Sequence, residues 1–183
     1  MKNAEMKKGF TLIEVTMVVV IIAVVAAATT PRVTGLVEVQ GNLAARKMLA
    51  DLRYAQRLAM DTRKIYGVQL DPANDRYRVF DTTTGLNATD PLTGSVGVSG
   101  QTWSSGFVVS YPDHSELKAM DITVPAGAPA TEIRFNPLGT PLKPDNSEGG
   151  SITWEMRHRA SSGGPFWQVT TVGAAGSFAI LEG

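Results

Sequence analysis

A run of 21 residues, Phe10 to Thr30, holds a single ionisable side chain, Glu14. As an α-helix such a run rises about 30 Å, the thickness of a bilayer's hydrocarbon core. The sequence therefore predicts a transmembrane helix over 10–30. Lys2, Lys7 and Lys8 precede it against one acidic residue, Glu5, and that bias puts the N-terminus in the cytoplasm and everything after Pro31 on the far side. A secretory signal cleaved near Ala26-Ala27-Ala28 and a plain single-span anchor are the two ordinary explanations. Glu14 weighs against both. A carboxylate inside a membrane costs on the order of 2.5–3.5 kcal/mol on insertion scales and asks for a partner, and this one sits one helical turn from Phe10.

The 183 residues allow one membrane segment and one modest domain. With 17 basic and 17 acidic residues the totals give no sign of a large nucleic-acid surface. Cysteine is absent, which excludes disulfides, thiolate metal sites and cysteine nucleophiles. Pro31 lacks an amide hydrogen and is expected to kink or loosen the helix, and Gly35 and Gly41 weaken the next stretch. A helical pattern nevertheless resumes over 31–64 as an amphipathic stalk. Leu36, Val39 and Leu43 share one face, and Ala45, Met48, Leu49, Leu52, Ala55 and Ala59 continue the stripe, which needs a sheet to cover it. The opposite face carries Arg46, Lys47, Arg53, Arg57, Arg63 and Lys64 against Asp51 and Asp61. It reads as a solvated face, with a basic contact surface for acidic neighbours or DNA as the alternative.

Residues 65–183 change to short strands and turns. Tyr66–Leu70 and Tyr77–Phe80 flank Asp71-Pro72-Ala73-Asn74-Asp75 as a hairpin. Asp71, Asp75 and Asp81 match no EF-hand spacing and read as turn residues. Residues 82–106, rich in Thr, Gly and Ser, read as a long excursion. Further strands are expected at 107–111, 122–124, 132–135, 151–157, 166–172 and 177–181, the last three as an antiparallel set.

The segment Gly9-Phe10-Thr11-Leu12-Ile13-Glu14 resembles the prepilin peptidase site of type IV pilins and type II secretion pseudopilins. That resemblance implies cleavage between Gly9 and Phe10, leaving 1–9 as a leader, and N-methylation of Phe10. It also implies that Glu14 pairs with a neighbouring subunit's α-amine during assembly and that Pro31 kinks the helix. Ile133-Arg134-Phe135-Asn136-Pro137-Leu138-Gly139-Thr140-Pro141 is similar to the F-x-P-x-G-x-P segment of GspH/FimT-type minor pseudopilins. Trp167–Val172 with Gly173 and Gly176 is similar to their closing strands, and the helix around Leu49–Ala59 to their L-x-x-A-R-x-x-A pattern, with the arginine displaced to Arg57. The fold implied is α+β: a long N-terminal helix packed on antiparallel sheets of a sandwich-like, periplasmic domain, anchored by a single pass in the bacterial inner membrane.

The expected function follows from that likeness: a structural subunit of a type II secretion pseudopilus or type IV pilus, near the tip and promoting filament initiation. Its implied partners are other minor and major pilins or pseudopilins, the prepilin peptidase, the inner-membrane assembly platform and membrane lipid. No enzyme is expected. The two histidines, His114 and His158, stand in a turn and at a strand end, and Asp113-His114-Ser115 cannot form a triad from three consecutive positions. No metal-ligand set, phosphate loop or cofactor motif is legible. The binding alternative is a DNA-uptake minor pilin, with Arg157 and Arg159 beside His158, Gly163-Gly164 and Trp167 as candidate phosphate and stacking contacts.

Overall fold

The computed structural model describes residues 10–127, 130–159, 163–172 and 176–183, and the side chains among them except those of 28–35 and 172. The chain divides into two compact units, Met1–Val37 and Glu38–Gly183. A single helix, α1 (Leu12–Thr62), contributes to both. The helix runs on past Pro31, so the proline does not end it. α1 stops where Arg63 turns left-handed at φ 57°. Among the described residues no helix is long and apolar enough to cross a membrane.

Within the first unit the side chains of residues 12–27 of α1 are exposed on every face. In the second unit Ala44, Ala45, Met48, Leu52, Ala55 and Ala59 are fully buried, at the i, i+3/i+4 spacing of one face. Three members expected in the stripe differ: Val39 and Leu43 are exposed and Leu49 is half-buried. Leu36, in the first unit, is exposed too. The stripe shifts because the cover is aromatic and close. Gly41, expected only to weaken the helix, is buried against Trp167, and a Cβ there would lie 2.0 Å from the indole ring.

The cover consists of two antiparallel sheets. The first has the order β3-β2-β1-β5-β6, built from β1 (Tyr66–Asp71), β2 (Arg76–Asp81), β3 (Val108–Ser110), β5 (Glu132–Phe135) and β6 (Pro141–Leu142). The second has the order β4-β7-β8-β9, built from β4 (Met120–Thr123), β7 (Thr153–His158), β8 (Phe166–Val172) and β9 (Ser177–Glu182). The expected hairpin pairs Tyr66 with Asp81 through Asp71 with Arg76. β8 pairs on one side with β7 and on the other with β9 over Trp167–Val172. The fold is thus α+β, an N-terminal helix on antiparallel sheets. Phe135 of β5 meets Phe178 of β9 edge to face at 5.9 Å, joining the sheets beneath the helix.

Three local results were not in the sequence reading. β6 begins at Pro141, the last residue of the F-x-P-x-G-x-P-like segment, where no strand was expected. There Asn136 accepts the amides of Leu138 and Thr140, each at 2.9 Å. Gly139, at φ 81°, brings its carbonyl within 2.7 Å of Gln56 Nε2, and a Cβ there would lie 3.0 Å from Met60 Sδ. The 82–106 excursion is tied down by Asn87, which is buried. Its amide donates to Thr102 and Ser105 carbonyls at 2.7 Å, and its oxygen accepts from Arg78 at 3.1 Å. Asp51 and Lys47, placed above on the solvated face, instead form an ion pair at 3.0 Å. The Asp51 carboxylate also accepts the hydroxyl of the fully buried Tyr77.

Candidate assembly site

At the start of α1, Thr11 caps the helix. Its hydroxyl accepts the Glu14 amide at 3.3 Å, and its carbonyl accepts the same amide at 3.1 Å. Thr11-Leu12-Ile13-Glu14 is therefore a capping box in sequence, a signal the reading above passed over. Glu14 lies in the first turn, where the helix dipole favours a negative charge. Among the described residues its carboxylate has no ion-pair or hydrogen-bond partner. It stands exposed in a sleeve of apolar side chains that are themselves exposed, from Phe10 (81%) and Leu12 (84%) to Val25 (58%). Apolar helix faces of this extent lie against other apolar matter in nature, a bilayer or packed helices. Gly9 falls outside the described residues, and so does the side chain of Pro31.

The candidate DNA contacts are placed differently. Arg157 is held by the Glu155 carboxylate and lies over the Phe166 ring at 4.7 Å. Arg159 bridges Asp75 at 2.8 Å and Asp121 at 2.7 Å. Trp167 is buried beneath α1 and presents no stacking face to a base. Both arginines are spent on carboxylates within the fold, so the site is not a free basic patch. His114 follows the turn Tyr111–Asp113, and His158 ends β7.

Charge placement in the domain has clear local causes. Asp51 is pushed up by burial, against the opposing pull of Lys47 and the Tyr77 hydroxyl. Burial also lifts the Tyr77 and Tyr111 phenols well above the ordinary range. For Asp81, burial works upward, but the Thr83 amide and Lys64 outweigh it and hold the carboxyl below its usual value. Asp71 behaves alike, with Asn74 and Arg76 overcoming burial. Asp71, Asp75 and Asp81 each face a cation, Arg76, Arg159 and Lys64 respectively, so these turn aspartates serve as internal counter-ions.

The profile of the family described as Type II transport protein GspH matches residues 44–175, and the prokaryotic N-terminal methylation motif matches residues 6–30. The chain belongs to the GspH family. Family and methylation motif together make it a structural subunit of the minor pseudopilin type. Among solved structures, the type IV minor pilin FimU of Pseudomonas aeruginosa is similar at 14% identity and a TM-score of 0.50, covering 79% of this chain and 90% of that one. The fold is thus that of a pilin-like domain. The minor pseudopilin EpsH from the type 2 secretion system of Vibrio cholerae is similar at 15% identity and a TM-score of 0.49, covering 78% and 96%. A search of curated proteins gives no match.

Proposed function

We propose that this GspH-family chain enters a type II secretion pseudopilus or type IV pilus close to its tip and promotes filament initiation. The observation that carries the assembly part of this reading is the Glu14 carboxylate, which among the described residues has no partner and stands one turn from Phe10 on an exposed apolar helix. In this reading the prepilin peptidase cuts between Gly9 and Phe10 and the new amine of Phe10 is methylated. Residues 10–30 cross the inner membrane once, storing the subunit there with its β-domain in the periplasm until the assembly platform extracts it. Isolated in lipid, the amine and the carboxylate are each unfavourable; paired between adjacent subunits they satisfy one another and set the axial stagger.

A chain bearing both groups offers a partner charge to a neighbour on each side. That suits a place next to the filament's end better than its extreme end. The bend at Pro31 belongs to the same proposal, since a helix leaving a packed bundle for the β-domain benefits from a missing hydrogen bond there.

Glu14→Ala tests the pairing. The variant is expected to be inserted and processed like the wild type but to fall at least about tenfold in sheared filaments, in line with an unpaired charge in an apolar setting. Incorporation at the wild-type level would refute it.

A further inference from the structure

Two of the four outer strands of the two sheets have cover, and a third is short. In β4 the Ile122 amide donates to the Asp75 carboxylate at 2.9 Å. Beside β6 the chain returns: Lys143 donates to the Ser147 carbonyl at 2.8 Å, Leu142 bridges to Glu148, and the Gly150 amide reaches the Pro141 carbonyl at 3.2 Å. β3 has only three residues and shares a small polar groove with Thr93, Ser95 and Ser105 of the excursion.

β9 is different. It has six residues, all paired with β8 on one side. Among the described residues, 178–182 make no hydrogen bond on the other side. Exposed edges of this length template the addition of a further strand unless they are blunted.

Alongside β9 runs a groove of about 740 Å³, with Arg46, Leu49 and Arg53 of α1 on one wall and Ile180, Leu181 and Glu182 on the other. Leu181 is 52% exposed. The groove holds two arginines against one carboxylate, Glu182, leaving a net positive charge with no ion pair formed across it among the described residues. Arg76, Arg134, Arg157 and Arg159 each pair with a carboxylate of the fold, whereas Arg46 and Arg53, among the described residues, have no hydrogen bond or ion pair. The two lie seven residues apart, about 10 Å along the helix. Carboxylates two or four residues apart on an extended strand are separated by about 7 or 13 Å, within reach of two long guanidinium side chains.

We propose that the open edge of β9 receives an extended, acidic segment of a neighbouring filament subunit, which adds as a fifth strand and pairs its carboxylates with Arg46 and Arg53. The partner's identity as a subunit rests on the filament reading above. Main-chain hydrogen bonds to β9 supply affinity, and alternate side chains read the groove. Acidic ones, on the face toward α1, find the arginines, and a basic strand is repelled by them. Apolar ones, on the opposite face, settle beside Leu181.

The test uses the full chain in detergent micelles and a fluorescein-labelled eight-residue probe alternating Glu and Val, read by anisotropy. Saturable binding is expected. It should weaken at least about tenfold in the R46E/R53E double variant, vanish when the probe's Glu are replaced by Lys, and weaken similarly when alternate probe amides are N-methylated. K118E, beside β4 at the opposite edge of the sheet, should bind as the wild type does, and an unchanged melting temperature for R46E/R53E shows that the fold is kept. No saturable binding, indifference to R46E/R53E, or equal binding of the N-methylated probe would each overturn the proposal. The assay contains no filament, so it fails or succeeds apart from the Glu14 experiment. A photo-crosslinker at Leu181 in assembled filaments then reads the partner: capture of a pilin-like subunit is expected, and capture of lipid or a non-pilin protein would overturn that assignment.

Discussion

Residues 38–62 and residues 12–27 of α1 obey opposite rules within one helix. In the former, small residues dominate the covered face, with Ala44, Ala45, Ala55 and Ala59 fully buried and Gly41 against an indole ring. Close approach of the sheets is the priority there, and glycine's weak helix propensity is tolerated for it. In the latter, Val18, Val19, Val20, Ile21 and Ile22 crowd the helix with β-branched side chains, all exposed. Such residues are mediocre helix formers in water and, among the described residues, have nothing to cover them. The contrast teaches that one half is selected to hold a domain together and the other to meet apolar surroundings that the chain itself does not provide.

Substitutions should separate the halves by their effect on the domain's stability, read as thermal unfolding followed by tryptophan fluorescence. The largest loss is expected for Trp167→Ala, about 3–5 kcal/mol, because a fully buried indole leaves a cavity under α1. Gly41→Leu should cost about 1–3 kcal/mol or more through the reverse fault, overpacking against that ring. Next comes Tyr77→Phe, which removes the hydroxyl donor from a buried Asp51 and should cost about 1–3 kcal/mol. Smallest is Val19→Ala, expected to shift domain melting by no more than about 0.5 kcal/mol. A Val19→Ala loss equal to that of Trp167→Ala would erase the distinction between the halves.

The pH dependence sharpens the same point for the second half. Asp71 and Asp81 have folded-state pKa values held below their unfolded ones, near 3.9. Their contribution is present above that value and lost as pH falls through the lower folded value. Asp51 runs the other way: its raised pKa gives a contribution that is full in acid and lost as pH rises through the folded value. Melting temperature should therefore fall on acidification below about pH 4, and Asp81→Asn should flatten that fall while Asp51→Asn should not.

Much of this arrangement was legible in the sequence, for local reasons. β8 matches its expected span because Phe166–Val172 is a β-branched and aromatic run bounded by turn residues. The β1–β2 hairpin was legible from Pro72 and the aspartates of its turn. What escaped was set by distant partners. The Asp51–Tyr77 contact spans 26 residues and the Gln56–Gly139 contact 83, so neither leaves a local pattern. Leu36, Val39 and Leu43 carry the right periodicity yet are exposed, because periodicity marks a face and says nothing of where its cover ends. β6, two residues in a Pro-Gly segment, is too short to register as a strand. At the assembly end, Glu14 stood out as a lone charge, whereas the Thr11 cap was overlooked although Thr-x-x-Glu is readable.

The central claim is that the exposed half of α1 is the processed, assembling end of a pilin-like subunit. Mass spectrometry of the mature protein isolated from membranes tests it most directly. The account predicts a chain beginning at N-methylated Phe10. A chain beginning at Thr29, as ordinary secretion would leave it, would contradict it.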